Sequence, residues 1–158
     1  MRLLWWPCSR RWTTNRSSCC WSPASGSPIR SRWRRVWPVV PTGRDPSYLV
    51  VALTGPVLVG YVDVTVLPFT RARRSGYVVA GVRADHAGRG LGRALMESAI
   101  REAGSRGMGR LELTVMEHNH RALGLYLRCG FQVEGLRRAA LDVHGRRVSE
   151  YYMGLLLD

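Results

Sequence analysis

Gly88, Gly90 and Gly92 stand at alternate positions in the run Val82-Arg-Ala-Asp-His-Ala-Gly88-Arg-Gly90-Leu-Gly92-Arg-Ala-Leu95. The run reads as the end of a strand, a tight turn and the first turn of a helix. A turn stripped of Cβ atoms lets backbone come close to a ligand. The N–H groups that open the following helix have no intrahelical partner and carry the positive end of its dipole. The chemistry this predicts is capture of a pyrophosphate. A nucleoside-triphosphate loop would close on Gly-Lys-Ser/Thr, and the chain contains no lysine. A dinucleotide fold would show G-x-G-x-x-G with an acid on the ribose about twenty residues later. Here the glycines run G-x-G-x-G, and Glu112 falls inside the next strand candidate. On the loop alone, a glycine-rich connection without any ligand also stays open.

The elements that would position this loop are legible on both sides of it. Leu91, Leu95 and Ala99 recur every four residues, with Met96, Ile100 and Ala103 beside them, which predicts a helix over 91–103 with one apolar face. Gly104 and Gly107 stop it. Residues 111–116, Leu-Glu-Leu-Thr-Val-Met, read as a strand. Asn119 then caps a second helix that ends at Gly130. Upstream, Tyr48–Thr54 and Val57–Leu67 form a hairpin around Gly55-Pro56, and Gly76–Val82 leads into the glycine loop. Downstream, 132–141 and 147–157 pair as strands across His144-Gly145. Together these make a mixed, mostly antiparallel sheet with helices packed on it, an α+β fold.

Two motifs, at their spacing, resemble the GNAT superfamily of acyl-CoA N-acyltransferases. Its first motif, R/Q-x-x-G-x-G/A between strand and helix, is met by Gly90 and Gly92 and departs at its leading position, here Ala87. Its second, N-x-x-A-x-x-L-Y-x-x-x-G-F, is matched by Asn119, Ala122, Leu125, Tyr126, Gly130 and Phe131. The resemblance covers about residues 48–158.

That resemblance implies acetyl-CoA as cosubstrate and an amine as acceptor, with no metal. The N–H groups of Gly88, Arg89, Gly90, Leu91, Gly92 and Arg93 would cradle the pyrophosphate, with Arg89 and Arg93 supplying the charge missing at Ala87. The pantetheine arm would run beside Ala80, Gly81 and Val82, in a wedge between that strand and 111–116, and the Val82 N–H would face the thioester oxygen. Tyr126 would be the acid for the departing thiolate, since a phenol near pKa 10 holds its proton at neutral pH. Asn119 would touch the cofactor as well as capping its helix. Glu112 stands where some members of the family keep a base; the weaker candidate Glu117 and a bound water are the alternatives. The implied acceptors are small amines, amino acids or protein N-termini.

Net charge is +13, from 24 basic residues, all arginine, against 11 acids. Residues 1–47 hold nine of the arginines and one acid, together with all six tryptophans and three of the four cysteines. They show neither helical nor strand period, and read as an atypical leader, 1–47, that is disordered or poorly packed, ahead of an acetyltransferase domain at 48–158. The segment offers no copy of the strand and two helices that the family places before its hairpin, and a wrong start or an upstream frameshift would account for that. Loss of those helices would leave an impaired acyl-CoA-binding remnant, the alternative to an active enzyme. A nucleic-acid arm built from Arg30, Arg32, Trp33, Arg34, Arg35 and Trp37 is the disfavoured reading. The arginine excess favours an acceptor bearing a carboxylate or phosphate over a polyamine.

Cys8, Cys19, Cys20 and Cys129 form no C-x-x-C pair, and His118 and His120 have no Cys or third His near them in sequence. The apolar stretch 48–66 is broken by Gly55-Pro56 and Asp63, and Met1–Pro7 is too short for a signal peptide. The expected location is the cytoplasm, with neither membrane nor nucleic acid as partner; a homodimer stays open.

Overall fold

In the computed structural model, which describes residues 36–41, 47–67 and 69–157, the sheet begins with an edge strand, β1 (Val36–Pro41). It pairs antiparallel with β2 (Tyr48–Thr54), with a register irregularity between Pro38 and Val40. β1 lies within the segment whose sequence showed no strand period. The reason is its prolines: each lacks an N–H, so a run such as Val-Trp-Pro-Val-Val-Pro forms a strand only at a sheet edge, with one side unpaired. Residues 1–35 and 42–46, which carry most of the expected leader, lie outside the described residues.

β2 turns at Gly55 (φ 58°) into β3 (Val57–Val66), and β3 pairs antiparallel with β4 (Ser75–Val82). After the glycine loop come α1 (Leu91–Ser105), β5 (Arg110–Met116), α2 (His120–Arg128), β6 (Gln132–Val143) and β7 (Arg146–Leu156). The sheet order is β1-β2-β3-β4-β5-β7-β6, and only β4 and β5 run parallel. The β6–β7 turn places His144 and Gly145 both at positive φ, the geometry of a two-residue hairpin turn, and Asp142 Oδ1 accepts the Gly145 N–H at 2.9 Å.

One sheet face is the core. Tyr48, Val50, Val62, Val64, Val78, Leu111, Leu113 and Met153 are buried there against Leu91, Leu95, Met96, Ala99 and Ala103 of α1. Period two on the strands and period near four on the helix bring these residues to one interface. Each large side chain so buried stabilises the fold by about 1.5–3 kcal/mol. α1 stops where Gly107 takes φ 73° and Met108 returns its N–H to Ala103 at 3.0 Å. α2 begins on Asn119, whose Oδ1 accepts the Ala122 N–H at 3.1 Å, and ends with Phe131 N–H on the Tyr126 carbonyl at 3.1 Å before the buried Phe131 ring.

Candidate functional site

The parallel strands β4 and β5 make a fork. Their pairing runs through Ser75↔Arg110 and Gly76↔Leu111 and ends at Tyr77↔Glu112. Past that point Val78–Val82 and Leu113–Met116 are not paired with each other. Strand alternation says what the open side presents. Ser75 accepts from Leu67 through its carbonyl, and Arg83 gives its N–H to Val59 at 3.0 Å, so odd-numbered residues of β4 turn to β3. The backbone groups of Val78, Ala80 and Val82 therefore turn into the fork. Gly81 turns to β3. Its role is steric: a Cβ there would lie 2.7 Å from Cε1 of Tyr61.

The fork opens into a cleft of about 690 Å³, lined by Ala80, Gly81 and Val82 from β4 and by Gly88, Gly90, Gly92 and Arg93 from the loop and α1. Asn119 and Tyr126 close it from α2. Gly88 (φ 78°) and Gly90 (φ 81°) sit in the left-handed region, and Gly90 is the N-cap of α1. The first intrahelical bond is Ala94 N–H to Gly90 at 3.1 Å, so the N–H groups of Leu91, Gly92 and Arg93 have no carbonyl before them in the helix. Gly92 is small because α2 packs on it: a Cβ would stand 3.2 Å from Leu125 Cδ2.

Three expected residues do not line the cleft. The Leu91 side chain is in the core, leaving only its backbone for a ligand. Arg89 is exposed. Glu112 lies on the sheet face opposite the helices, where its Oε2 accepts from Tyr152 Oη at 2.6 Å and Arg110 Nε at 3.3 Å. Arg110 also grips Glu134 of β6 through both terminal nitrogens. Arg93 reaches the cleft, but its Nε is bonded to Glu97 at 2.7 Å. The cleft's further cations are Arg121 and Arg128, which the motif reading passed over. Their spacing held the signal: 121, 122, 125 and 128 share one helical face with Asn119 at its head. The Arg121 guanidinium lies over the glycine loop, 3.3 Å from where a Gly88 Cβ would be.

Tyr126 is buried, its ring 6.0 Å from that of Phe131. Burial raises its phenol pKa, and the nearby Tyr77 and Cys129 push it the same way, so the hydroxyl keeps its proton at neutral pH. Tyr77 Oη bonds to Thr114 Oγ1 across the fork at 2.9 Å. Glu117 is exposed, with its Oε1 3.4 Å from the Ser149 N–H. His118 and His120 are exposed, and no group of three or more His, Cys, Asp or Glu among the described residues is arranged to hold a metal. No helix among the described residues is long and apolar enough to cross a membrane.

The model of the acetyltransferase (GNAT) family matches residues 6–131, most of the chain. The chain belongs to that family. Its cosubstrate is acetyl-CoA, and its mixed sheet with packed helices is the α+β GNAT fold. The matched span reaches back to residue 6 and so takes in most of the segment that the sequence set apart. Among relatives, the N-alpha-acetyltransferase RimI of Mycobacterium tuberculosis is 35% identical over 113 residues, covering 69% of this chain and 70% of that protein. Among solved structures, the ribosomal-protein-alanine N-acetyltransferase of Brucella melitensis superposes with a TM-score of 0.68 at 27% identity, over 72% of this chain and 71% of that one. The structure of yncA from Salmonella typhimurium, solved with its cofactor acetyl-CoA, gives a TM-score of 0.68 at 26% identity, over 71% of this chain and 65% of that one. As a GNAT protein the chain is an acetyl-CoA-dependent acetyltransferase.

Proposed function

We propose that this acetyltransferase acts on the α-amine of a peptide or protein N-terminus. The acetyl-CoA side of the reading is carried by the fork. Backbone donors and acceptors of Val78, Ala80 and Val82 stand unpaired toward β5, between a helix N-terminus at one end and a protonated phenol beside them. An extended pantetheine arm, with its two amides, suits such a row as an added strand does. The bare N–H groups at Leu91, Gly92 and Arg93 suit the pyrophosphate, and Arg121 brings a cation to the loop where Ala87 has none. Relatives whose names specify an N-terminal α-amine or a ribosomal-protein alanine point to the same class of acceptor.

Each step then falls to a residue of this chain. The Ala80 N–H donates to the thioester oxygen as negative charge gathers on it, and the Val82 N–H, two residues further out along the strand, is left for a pantetheine amide. The neutral amine forms its C–N bond from the sheet face opposite the helices. Glu112, held by Tyr152 and Arg110, receives the proton that the amine sheds, by way of water in the fork. Tyr126 gives its proton to the thiolate as the C–S bond breaks.

The test is release of free CoA thiol with acetyl-CoA and two panels, peptides with free N-termini and small amines. Peptides turning over with kcat/KM at least about tenfold above the small amines is the expected result, and Tyr126→Phe should cut kcat by about tenfold or more while acetyl-CoA still binds. Turnover confined to small amines would overturn the acceptor class. Undiminished kcat in Tyr126→Phe would remove the phenol from the reaction.

A further inference from the structure

The closed end of the fork has a construction that the reaction itself does not require. Backbone pairing ends at Tyr77↔Glu112. On the helix side the next residues in, Val78 and Leu113, are buried in the core at 4% and 1% exposure. On the opposite side the half-buried hydroxyls of Tyr77 and Thr114 meet across the gap at 2.9 Å. Thr114 lies two residues past Glu112, level with Val79 on the register of the two strands. The Tyr77 ring thus leans toward the open end, and its hydroxyl stops about one residue, or ~3.3 Å, short of the level of Ala80.

We propose that Tyr77 and Thr114 form a bar that limits the transferred acyl group to two carbons. This rests on the reading that the pantetheine arm lies in the fork with its thioester at Ala80. With the thioester oxygen on the Ala80 N–H, the acyl methyl points at the bar. An acetyl group fills the remaining space. A propionyl or butyryl chain must displace either a hydrogen-bonded pair or the buried Val78 and Leu113. Neither is soft: the two hydroxyls satisfy each other, and no buried side-chain nitrogen or oxygen among the described residues lacks a partner.

The experiment compares acetyl-, propionyl- and butyryl-CoA with one amine acceptor, in the full chain and in Tyr77→Ala, Thr114→Ala and Thr114→Ser. A methylene that a pocket cannot place costs about 10-fold or more in kcat/KM. The wild type should therefore prefer acetyl over butyryl by at least about that factor. Tyr77→Ala and Thr114→Ala should each raise the butyryl-to-acetyl ratio by about tenfold, and Thr114→Ser, which keeps the hydroxyl, should hold the wild-type ratio. Where Tyr77→Ala does not fold, Thr114→Ala decides alone, because it empties less volume. A wild type that uses butyryl-CoA as well as acetyl-CoA overturns the bar, as do folded alanine variants with an unchanged ratio. Both results leave the acetyltransferase reading standing. Failure of any acyl-CoA to bind the wild type takes down the reading of the fork and the bar with it, and is told apart by that loss of binding.

Discussion

At Gly90 a backbone angle, not a lack of space, demands glycine. Nothing lies within 4 Å of a Cβ built there, yet φ is +81°. An L-residue forced into that region costs about 1–2 kcal/mol. Gly104 is the useful contrast. It lies inside α1, has no positive φ, and is equally open. Gly90→Ala should lower stability by about 1–2 kcal/mol and weaken acetyl-CoA binding, because strain there disturbs the N–H groups that open α1. Gly104→Ala should raise stability by about 0.5–1 kcal/mol, since it removes chain entropy from the unfolded state and improves helix propensity. Denaturant unfolding, with calorimetric titration of acetyl-CoA, checks both. Equal effects from the two substitutions would show that the loop conformation carries no special demand.

At the scale of elements, α2 does two jobs with two faces. Leu125 and Tyr126 lock it to α1 and to the Phe131 ring, while Arg121 and Arg128 are turned to the cleft. No ion pair among the described residues involves Arg121 or Arg128, whereas Arg93 shares its charge with Glu97. The phosphates of the cosubstrate should draw more on α2 than on α1 as a result. Arg121→Gln should raise the Kd for acetyl-CoA by about tenfold and flatten its dependence on salt, since a charge-assisted contact is lost and less attraction remains to be screened. Arg89→Gln should do neither to the same degree. Titrations at two ionic strengths separate the outcomes, and an Arg121 variant that binds as the wild type does would return the role to the loop.

For the molecule as a whole, the seam between sheet and helix holds a buried phenol. Tyr48 is fully buried, gives its hydroxyl proton to the Ala99 carbonyl of α1, and lies under the Arg106 guanidinium 4.8 Å from its ring centre. Burial raises its pKa, the Glu102 carboxylate adds to that, and Arg106 opposes it. The folded state therefore holds this proton more tightly than the unfolded chain does. That stabilisation is complete below about pH 10, the phenol's ordinary value, and is lost as pH climbs above it. Tyr48→Phe should cost about 1 kcal/mol at neutral pH through the lost hydrogen bond and should flatten the alkaline decline. Urea unfolding between pH 8 and 11 measures both. An alkaline slope identical to wild type would place the titration elsewhere, on Tyr126 or Tyr152, whose pKa values burial also raises.

What the chain spelled out locally is what local physics controls. Apolar spacing produced β2, α1 and β5 nearly to the residue, positive-φ glycines marked the turns, and Asn119 announced α2 by its own side chain. Even the wedge between β4 and β5 was legible, through the two motifs. Contacts between residues distant in sequence were not. Tyr152 on Glu112, Arg110 on Glu134 and Tyr77 on Thr114 join positions 40, 24 and 37 residues apart. Strand register decides them, and register is a property of the assembled sheet. The same holds for β1, whose prolines spoil any strand pattern until an edge is there to accept them. It holds too for Arg89 and Arg121: both are arginines near a phosphate loop, and only the packing of α2 against α1 determines which one faces the cleft.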